Sequence, residues 1–322
     1  MTPIFNNVYS MQLEIMDHWY KSCNSTMHSL TKIVDISHGV IHNLTRQHTG
    51  LDVYPGTFQK LNWDSARTND KKHKQVKQGI AVVTGGTGGI GTEICKRLAT
   101  DGNRIIATCI ETEQDKSLLW KKELGKNGYE VDIQVCDVAD FESCRNFAEK
   151  IENKYGRVDV LVNAAGITRD GVLQKMDPEK WHAVIDTNLD SVFNVTRNFI
   201  NGMIKNGYGR IINISSVNGQ KGQFGQTNYS TAKAGMIGFS RALALELADK
   251  GITVNCVCPG YVHTSMVAAL RQDVLKGIIK QIPMGRLATV AEIADAVAFL
   301  AKKDSAYITG TELAVNGGLW LG

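Results

Sequence analysis

The sequence predicts an α/β fold with a single Rossmann-type, doubly wound parallel sheet, preceded by a helical N-terminal extension. Short apolar runs alternate with amphipathic stretches, which fits parallel strands buried on both faces. A glycine-rich turn follows the first run. The chain has 322 residues, of which 43% are hydrophobic. Residues 77–322 have the size of one α/β domain, so residues 1–76 are predicted to form an extension and linker.

Seven apolar runs are predicted to be strands and five longer stretches to be helices. The strands are residues 80–83, 104–109, 131–136, 158–162, 210–214, 253–257 and 313–315. The helices are residues 113–126, 141–155, 191–206, 229–250 and 290–301, with a further helix starting near residue 92. Right-handed crossovers place the carboxyl ends of the strands at one edge, where ligands bind in open α/β sheets. Residues expected at that edge are Gly85, Asp137, Asn163, Ser216 and Pro259.

A glycine turn joins the first strand to its helix. The segment reads Thr84-Gly85-Gly86-Thr87-Gly88-Gly89-Ile90-Gly91. Glycines allow a tight turn and a close approach of the backbone to a pyrophosphate, whose charge is stabilised by the helix N-terminus. The order of strand, turn and helix therefore predicts a dinucleotide site.

A tyrosine and a lysine four residues apart predict proton-transfer chemistry. On a helix, Tyr229 and Lys233 share one face, and Ser216 lies upstream of them. A protonated amine beside a phenol favours the phenolate and is expected to lower the Tyr229 pKa. The phenol could then exchange its proton with a reacting alcohol or ketone.

With these residues in place, the core resembles a short-chain dehydrogenase/reductase. In that family the residues that match Asn188, Ser216, Tyr229 and Lys233 are catalytic. The resemblance implies that Tyr229 donates the proton and that Ser216 binds the carbonyl. Lys233 would assist Tyr229 and hold the nicotinamide ribose, and Asn188 would anchor a proton-relaying water. It also implies a cofactor site at Thr84, Gly85, Gly89, Ile90, Gly91, Asp137, Val138, Asn163, Ala165, Gly166, Tyr229, Lys233, Pro259, Gly260 and Thr264.

Simpler interpretations remain for single residues. Asn188 or Asp137 could cap a helix, and Ser216 could end a strand. One departure from the family pattern is Ala164, where Asn is usual in the motif that reads Asn163-Ala164-Ala165-Gly166 here.

The loop before Tyr229 indicates the class of substrate, through its resemblance to the same loop in a group of known enzymes. Residues 217–228 are rich in amides and resemble the same loop of acetoacetyl-CoA reductases of polyhydroxybutyrate synthesis. An aromatic side chain beside several amides suits a short acyl chain on a long thioester arm. Alternatively, the glutamines only satisfy loop backbone groups. The substrate residues implied by the resemblance are Asp170, Lys175, Gln223, Phe224, Gln226 and Tyr261.

The cofactor is expected to be NADPH, with NADH as the alternative. The second strand ends in Cys109 instead of the acid that usually holds the ribose of NAD. However, Glu111 lies close by and would repel a 2′-phosphate, and Gly88 stands where many NADP-specific relatives have Arg.

Composition excludes several other classes. The net charge of +4 gives no reason to expect nucleic acid, and the seven cysteines lack zinc spacing, so no metal site is expected. No apolar run is long enough for a membrane span, and no cleaved signal is expected. We therefore expect a cytoplasmic protein, and the family resemblance implies a homotetramer formed through the helices at residues 191–206 and 229–250.

The extension is the least readable part. Met11, Ile15 and Trp19 recur at helical spacing, which predicts an amphipathic helix. It is either a tail or intramolecular clamp, or a tether to polymer granules.

Two functions from different classes are consistent with these features. One is an enzyme that reduces short 3-oxoacyl-CoA thioesters, with 3-oxoacyl-(acyl-carrier-protein) reduction as the alternative within that class. The other is a granule-associated scaffold that keeps the fold for binding. The complete catalytic set favours the enzyme.

Overall fold

The computed structural model describes residues 78–268 and 271–322. The predictions for residues 1–76 lie outside these described residues. The strands form one parallel sheet in the order β3-β2-β1-β4-β5-β6-β7. Their bounds are β1 Ile80–Thr84, β2 Arg104–Cys109, β3 Val131–Val135, β4 Val160–Asn163, β5 Gly209–Ile214, β6 Ile252–Pro259 and β7 Glu312–Val315.

Helices connect the strands and cover both faces of the sheet. Their bounds are α1 Gly89–Thr100, α2 Gln114–Lys126, α3 Phe141–Tyr155, α4 Pro178–Ile185, α5 Ser191–Asn206, α6 Val217–Lys221, α7 Thr227–Leu247, α8 Ser265–Ala268, α9 Gln272–Gln281 and α10 Val290–Ala301. Side chains of α1, α2 and α10 form the core on one face. Side chains of α3, α5 and α7 form the core on the other. The strand order reverses between β1 and β4, which opens a crevice at the carboxyl ends of these strands.

The predicted fold class is confirmed, and the seven predicted strands lie within two residues of the observed ones. The predicted helix over residues 229–250 is wrong at both ends, because α7 begins at Thr227 and gives way to a 3-10 turn after Leu247. Four helices, α4, α6, α8 and α9, were not predicted. They have 8, 5, 4 and 10 residues, too few for a strong helical period.

A buried arginine joins chain segments at the edge of the sheet opposite the carboxyl ends of the strands. Arg210, at the start of β5, is only 2% exposed. Its guanidinium donates to the carbonyls of Lys302 and Lys303, just after α10, and to that of Gly251, after the α7 segment. Because a helix C-terminus leaves carbonyls unsatisfied and attracts cations, one side chain caps both α10 and the 3-10 turn that follows α7.

Replacing this arginine should destabilise the domain. Arg210→Met leaves these partly buried carbonyls without their donor and removes the buried guanidinium, so we expect the free energy of unfolding to fall by about 1–3 kcal/mol. Urea denaturation followed by circular dichroism measures it. Arg145→Met is the control: Arg145 is 51% exposed and pairs with exposed Glu142, so its loss should change stability by about 0.5 kcal/mol or less. Equal stability of both variants would contradict the capping role.

No helix in the two described ranges is long and apolar enough to cross a membrane.

Candidate active site

Tyr229 and Lys233 lie on the first turns of α7, next to the carboxyl end of β5. Lys233 is 4% exposed, and its Nζ donates to the carbonyl of Ile214 at 2.8 Å. The same Nζ lies 5.7 Å from the centre of the Tyr229 ring. The structure therefore brings the predicted pair together on one helix face.

Burial controls the protonation of this pair. Burial raises the pKa of the Tyr229 phenol, a hydrogen bond with Ser216 opposes that rise, and the charge of Asp170 adds to it. This differs from the expected lowering by Lys233, because Lys233 is itself buried and donates to a backbone carbonyl. Burial lowers the pKa of Lys233 to about 8. A phenol that holds its proton at neutral pH suits a proton donor.

Ser216 lies between β5 and α6 and faces Tyr229. Its Oγ accepts from the backbone N–H of Asn218 at 3.1 Å, so it caps α6 as well as ending the strand connection. The neighbouring Ser215 donates through Oγ to the carbonyl of Lys233 at 2.8 Å. Ser215 therefore ties the end of β5 to the helix that carries Tyr229 and Lys233.

Asn188 is completely buried in a π-helical turn, Asp186–Asp190, between α4 and α5. Its Oδ1 accepts from the N–H of Ile167 at 2.7 Å, and its Nδ2 donates to the Ile167 carbonyl at 2.8 Å. These bonds replace the predicted alternative of a helix cap. A Cβ placed on Gly166 would lie 3.0 Å from Asn188 Oδ1 and 3.5 Å from Lys233 Nζ, so all three residues meet. Such π-turns are frequent at functional sites.

The glycine turn is tightly packed against the turn after β4. Gly85 has a φ of +62°, and a Cβ there would lie 2.8 Å from the Cα of Ala165. A Cβ on Gly91 would overlap the Gly85 carbonyl oxygen. Thr84 Oγ1 accepts from the N–H groups of Ala164 and Ala165 at 3.1 and 3.3 Å. Neither glycine position therefore leaves room for a side chain.

These features fit the pyrophosphate of a dinucleotide. The α1 helix begins after Gly88, whose position makes no side-chain capping bond, and Gly88 and Gly89 are exposed. The first N–H groups of α1 are therefore available to an anion. Ile90 and Gly91 follow in the same turn.

Two of the predicted cofactor residues, Asp137 and Val138, lie after β3. Asp137 accepts from the N–H of Ala139 at 3.0 Å, whereas the cap of α3 is Asp140, so the helix-capping alternative for Asp137 is wrong. Val138 is buried, and Asn194 Nδ2 donates to its carbonyl at 3.1 Å. Sequence reasoning gave Asn194 no role, although it anchors this loop.

The end of β6 and the segment after it contain the predicted cofactor residues Pro259, Gly260 and Thr264. Pro259 pairs with Val315 of β7, and the N–H of Gly260 donates to the Val315 carbonyl. The Thr264 side chain would lie 3.5 Å from a Cβ on Gly89. The structure therefore brings Thr264, a predicted cofactor residue, to the start of α1.

Four of the predicted substrate residues, Asp170, Gln223, Phe224 and Gln226, lie in or beside the loop that precedes α7. Gln226 donates to both carboxylate oxygens of Asp170 at 3.0 Å and accepts from Asn218 at 2.9 Å. The Gln226 amide is therefore already engaged within the protein. Gln223 accepts from Lys221, while Phe224 is 88% exposed.

Two further substrate candidates lie at the margins of the loop. Lys175 is exposed on a 3-10 turn, Leu173–Lys175, with no contact that joins it to the catalytic group. Tyr261 is half-buried and lines a cavity of about 660 Å³ together with Gln220, Ile282, Met284 and Trp320.

Comparison with known proteins decides the family. The sequence profile of the short chain dehydrogenase family matches residues 79–275. The chain belongs to this family. As a short-chain dehydrogenase it is an oxidoreductase that uses a nicotinamide cofactor.

Curated relatives cover the same part of this short-chain dehydrogenase. An acetoacetyl-CoA reductase of Allochromatium vinosum is 53% identical over 242 residues, which cover 75% of this chain and 98% of the relative. Another, of Cupriavidus necator, is 53% identical over 245 residues, 76% of this chain and 99% of the relative. A 3-oxoacyl-(acyl-carrier-protein) reductase of Escherichia coli is 48% identical over 242 residues, 75% of this chain and 97% of the relative.

Several functional contacts were missed from the sequence. Thr108 Oγ1 accepts from the N–H of Gly85 at 3.3 Å, and Ser215 fixes the backbone of Lys233. Both are common small polar residues, and no spacing marked them. Within the described ranges, no group of three or more His, Cys, Asp or Glu could hold a metal ion. The described cysteines are free and buried.

Adding a methyl group at Gly91 should weaken cofactor binding. Gly91→Ala places a Cβ on the Gly85 carbonyl, so the turn must open. We expect the cofactor Kd to rise tenfold or more, because a close backbone approach to the pyrophosphate is lost. Quenching of protein fluorescence measures it. Gly125→Ala, in α2, is the matched control because its Cβ meets no atom within 4 Å. Wild-type affinity of Gly91→Ala would contradict the assigned site.

Proposed function

We propose that this short-chain dehydrogenase reduces acetoacetyl-CoA and other short 3-oxoacyl-CoA thioesters to 3-hydroxyacyl-CoA with NADPH. The observation that carries the proposal is the meeting of Tyr229, Lys233, Ser216 and Asn188 beside a loop rich in amides. The names of the Allochromatium and Cupriavidus relatives support the substrate class. The product would serve polyhydroxybutyrate synthesis.

The reaction follows from what each side chain can do. Tyr229 holds its proton at neutral pH because burial raises its pKa, so it can transfer that proton to the carbonyl oxygen of the substrate. Ser216, which hydrogen-bonds Tyr229, orients the same oxygen. Lys233 and Asn188 meet at Gly166, where the amine can assist Tyr229 and the amide can hold a proton-relaying water. A bound nicotinamide cofactor supplies the hydride.

The choice of NADPH rests on the end of β2. Cys109 is 5% exposed and uncharged, so no acid stands at the last position of the strand. Glu111 is exposed on the next turn, Glu111–Glu113, and opposes a 2′-phosphate. NADH is therefore the alternative cofactor, and initial rates with each cofactor distinguish the two.

An acyl-carrier-protein thioester is the alternative substrate, because the Escherichia coli relative bears that name. The experiment compares kcat/KM for acetoacetyl-CoA with that for acetoacetyl-acyl-carrier-protein. A higher value for the CoA thioester supports the proposal. A higher value for the protein-bound thioester assigns the alternative, and turnover of neither leaves the scaffold function.

Truncation of the loop residues should weaken use of the CoA thioester. Gln223→Ala and Phe224→Ala are expected to raise the KM for acetoacetyl-CoA by about tenfold, because each removes a contact proposed to face substrate alone. The Kd for the cofactor should not change. Phe299→Ala is the control for an exposed phenylalanine, 48% exposed and on α10. Normal KM values for both loop variants would contradict the loop assignment.

We also propose a cytoplasmic homotetramer assembled through α5 and α7. Exposed apolar side chains on these helices support this, since Phe193 is 51% and Leu245 is 85% exposed. Light scattering after size-exclusion chromatography measures the molar mass.

The role of residues 1–76 stays a prediction from the sequence. It is either a tail or clamp, or a tether to polymer granules through the stripe of Met11, Ile15 and Trp19. A fluorescent fusion of these residues in polymer-producing cells distinguishes the two. Collection on granules supports a tether, and diffuse fluorescence contradicts it.

A further inference from the structure

A row of buried polar side chains crosses the sheet directly below the site. Asn163 of β4 is the register partner of Asn213 of β5, which is the partner of Cys256 of β6. Register partners in parallel strands project from the same face of the sheet. The three residues are 3%, 0% and 0% exposed, and buried polar groups of this kind must find partners within the protein.

The helix that carries the catalytic pair contributes Ser240 to this row. Asn213 Nδ2 donates to Ser240 Oγ at 2.7 Å, and Cys256 Sγ lies 3.1 Å from the same oxygen. Ser240 Oγ in turn donates to the carbonyl of Met236 at 2.8 Å. A hydroxyl can donate one hydrogen bond and accept two. Ser240 forms all three, so its side chain is held against both β5 and β6.

Ser240 lies on the same face of α7 as the catalytic residues. Tyr229, Lys233, Met236 and Ser240 are spaced four, three and four residues apart, which is the repeat of one helix face. Ser240 is seven residues, or about two turns, beyond Lys233. A helix of this length moves as a rigid body. A displacement of Ser240 along the helix axis therefore displaces Lys233 and Tyr229 with it.

The other end of the row lies in the predicted cofactor site. Asn163 Nδ2 donates to Asn213 Oδ1 at 2.8 Å and to Thr196 Oγ1 at 3.2 Å. Asn163 opens the turn that ends at Gly166, against which Lys233 Nζ and Asn188 pack. The hydrogen bonds from Ser240 through Asn213 to Asn163 therefore connect the helix of the proton donor to the turn proposed to hold the cofactor.

We propose that Ser240 is a positioning residue for the reduction: through Asn213 it sets the axial position of α7, and with it the placement of Tyr229 and Lys233 relative to the turn at Asn163. This inference rests on the proposed function, since the step being positioned is the proton transfer from Tyr229. Small misplacements of reacting groups cost large factors in rate.

The test is Ser240→Ala in the full-length enzyme, measured at a temperature at which circular dichroism shows the variant folded. We expect kcat for acetoacetyl-CoA to fall by about tenfold, while KM and the cofactor Kd change less than twofold. The pKa of the Tyr229 phenol should also move, as read by ultraviolet difference titration against Tyr229→Phe. Ser240→Thr keeps the hydroxyl and should restore kcat. Adding Ser240→Ala to Asn213→Ala should cost little further, because Asn213→Ala already breaks the bond to Ser240 together with the bond from Asn163.

Ser117→Ala is the matched control. Ser117 is 1% exposed on α2, and its hydroxyl finds no partner among the described residues, so wild-type kcat is expected. A merely structural role of Ser240 predicts that Ser240→Ala lowers the melting temperature but leaves kcat and the phenol pKa at their wild-type values. That result would overturn the proposal. If Ser240→Ala does not fold, Ser240→Cys is measured instead. An unchanged kcat in Ser240→Cys would also contradict the proposal. If wild-type enzyme does not reduce acetoacetyl-CoA, the proposed function fails, while the phenol titration still decides the role of Ser240.

Discussion

Tyr229→Phe should lower kcat for acetoacetyl-CoA reduction by about a hundredfold or more, the usual contribution of a positioned acid. The substitution removes only the hydroxyl, so the ring keeps its place on α7. The cofactor Kd should therefore stay within about twofold of wild type, because the fold and the glycine turn are unchanged. Stopped-flow and steady-state rates, with fluorescence titration of the cofactor, measure both quantities.

Tyr307→Phe is the matched control, because Tyr307 is fully exposed, with a relative accessibility of 103%. It should behave as wild type. Retained turnover in Tyr229→Phe would remove the phenol from the reaction and with it the assignment of the whole site.

Lys233→Ala should impair both turnover and cofactor binding. The lysine amine is buried between the carbonyl of Ile214 and the turn at Gly166, so it can serve the tyrosine and the cofactor together. We expect a fall in kcat of about a hundredfold and a rise in the cofactor Kd of about tenfold, the value of one charge-assisted hydrogen bond. Lys122→Ala, on the exposed side of α2, is the control. A change in kcat alone would contradict the dual role.

The same lysine gives the expected pH dependence. Burial lowers its pKa to about 8, so the amine carries a charge below about pH 8 and loses it above. Cofactor affinity and reduction rate are therefore expected to fall as pH rises through that value. The raised pKa of Tyr229 keeps the phenol protonated over the same range, so the loss is assigned to Lys233. In Lys233→Ala, the cofactor affinity and the reduction rate should not fall as the pH rises through about 8.

The fold could be predicted because its signals are strong and local. Strands buried on both faces are continuous apolar runs, and the turn at Gly85 needs a residue that tolerates positive φ and close backbone contact. The π-turn around Asn188 was not predictable, since the Asn188 side chain is held by contacts with Ile167, 21 residues away.

Part of the site also depended on distant contacts. Tyr229 and Lys233 are visible in the sequence as a pair, but the direction of the phenol pKa depends on how deeply α7 buries it. Ser240, Asn213 and Asn163 are far apart in the chain, and only the register of β4 and β5 with the packing of α7 brings them together.

Transfer of an isotopic label tests the central claim most directly. Purified enzyme is incubated with acetoacetyl-CoA and nicotinamide cofactor that carries deuterium at both hydrogens of its hydride-donating carbon, in separate reactions with NADPH and NADH. The account predicts 3-hydroxybutyryl-CoA with one deuterium on the hydroxyl-bearing carbon, formed by wild type and almost absent from Tyr229→Phe. No labelled product from wild type, or equal amounts from both enzymes, would contradict it.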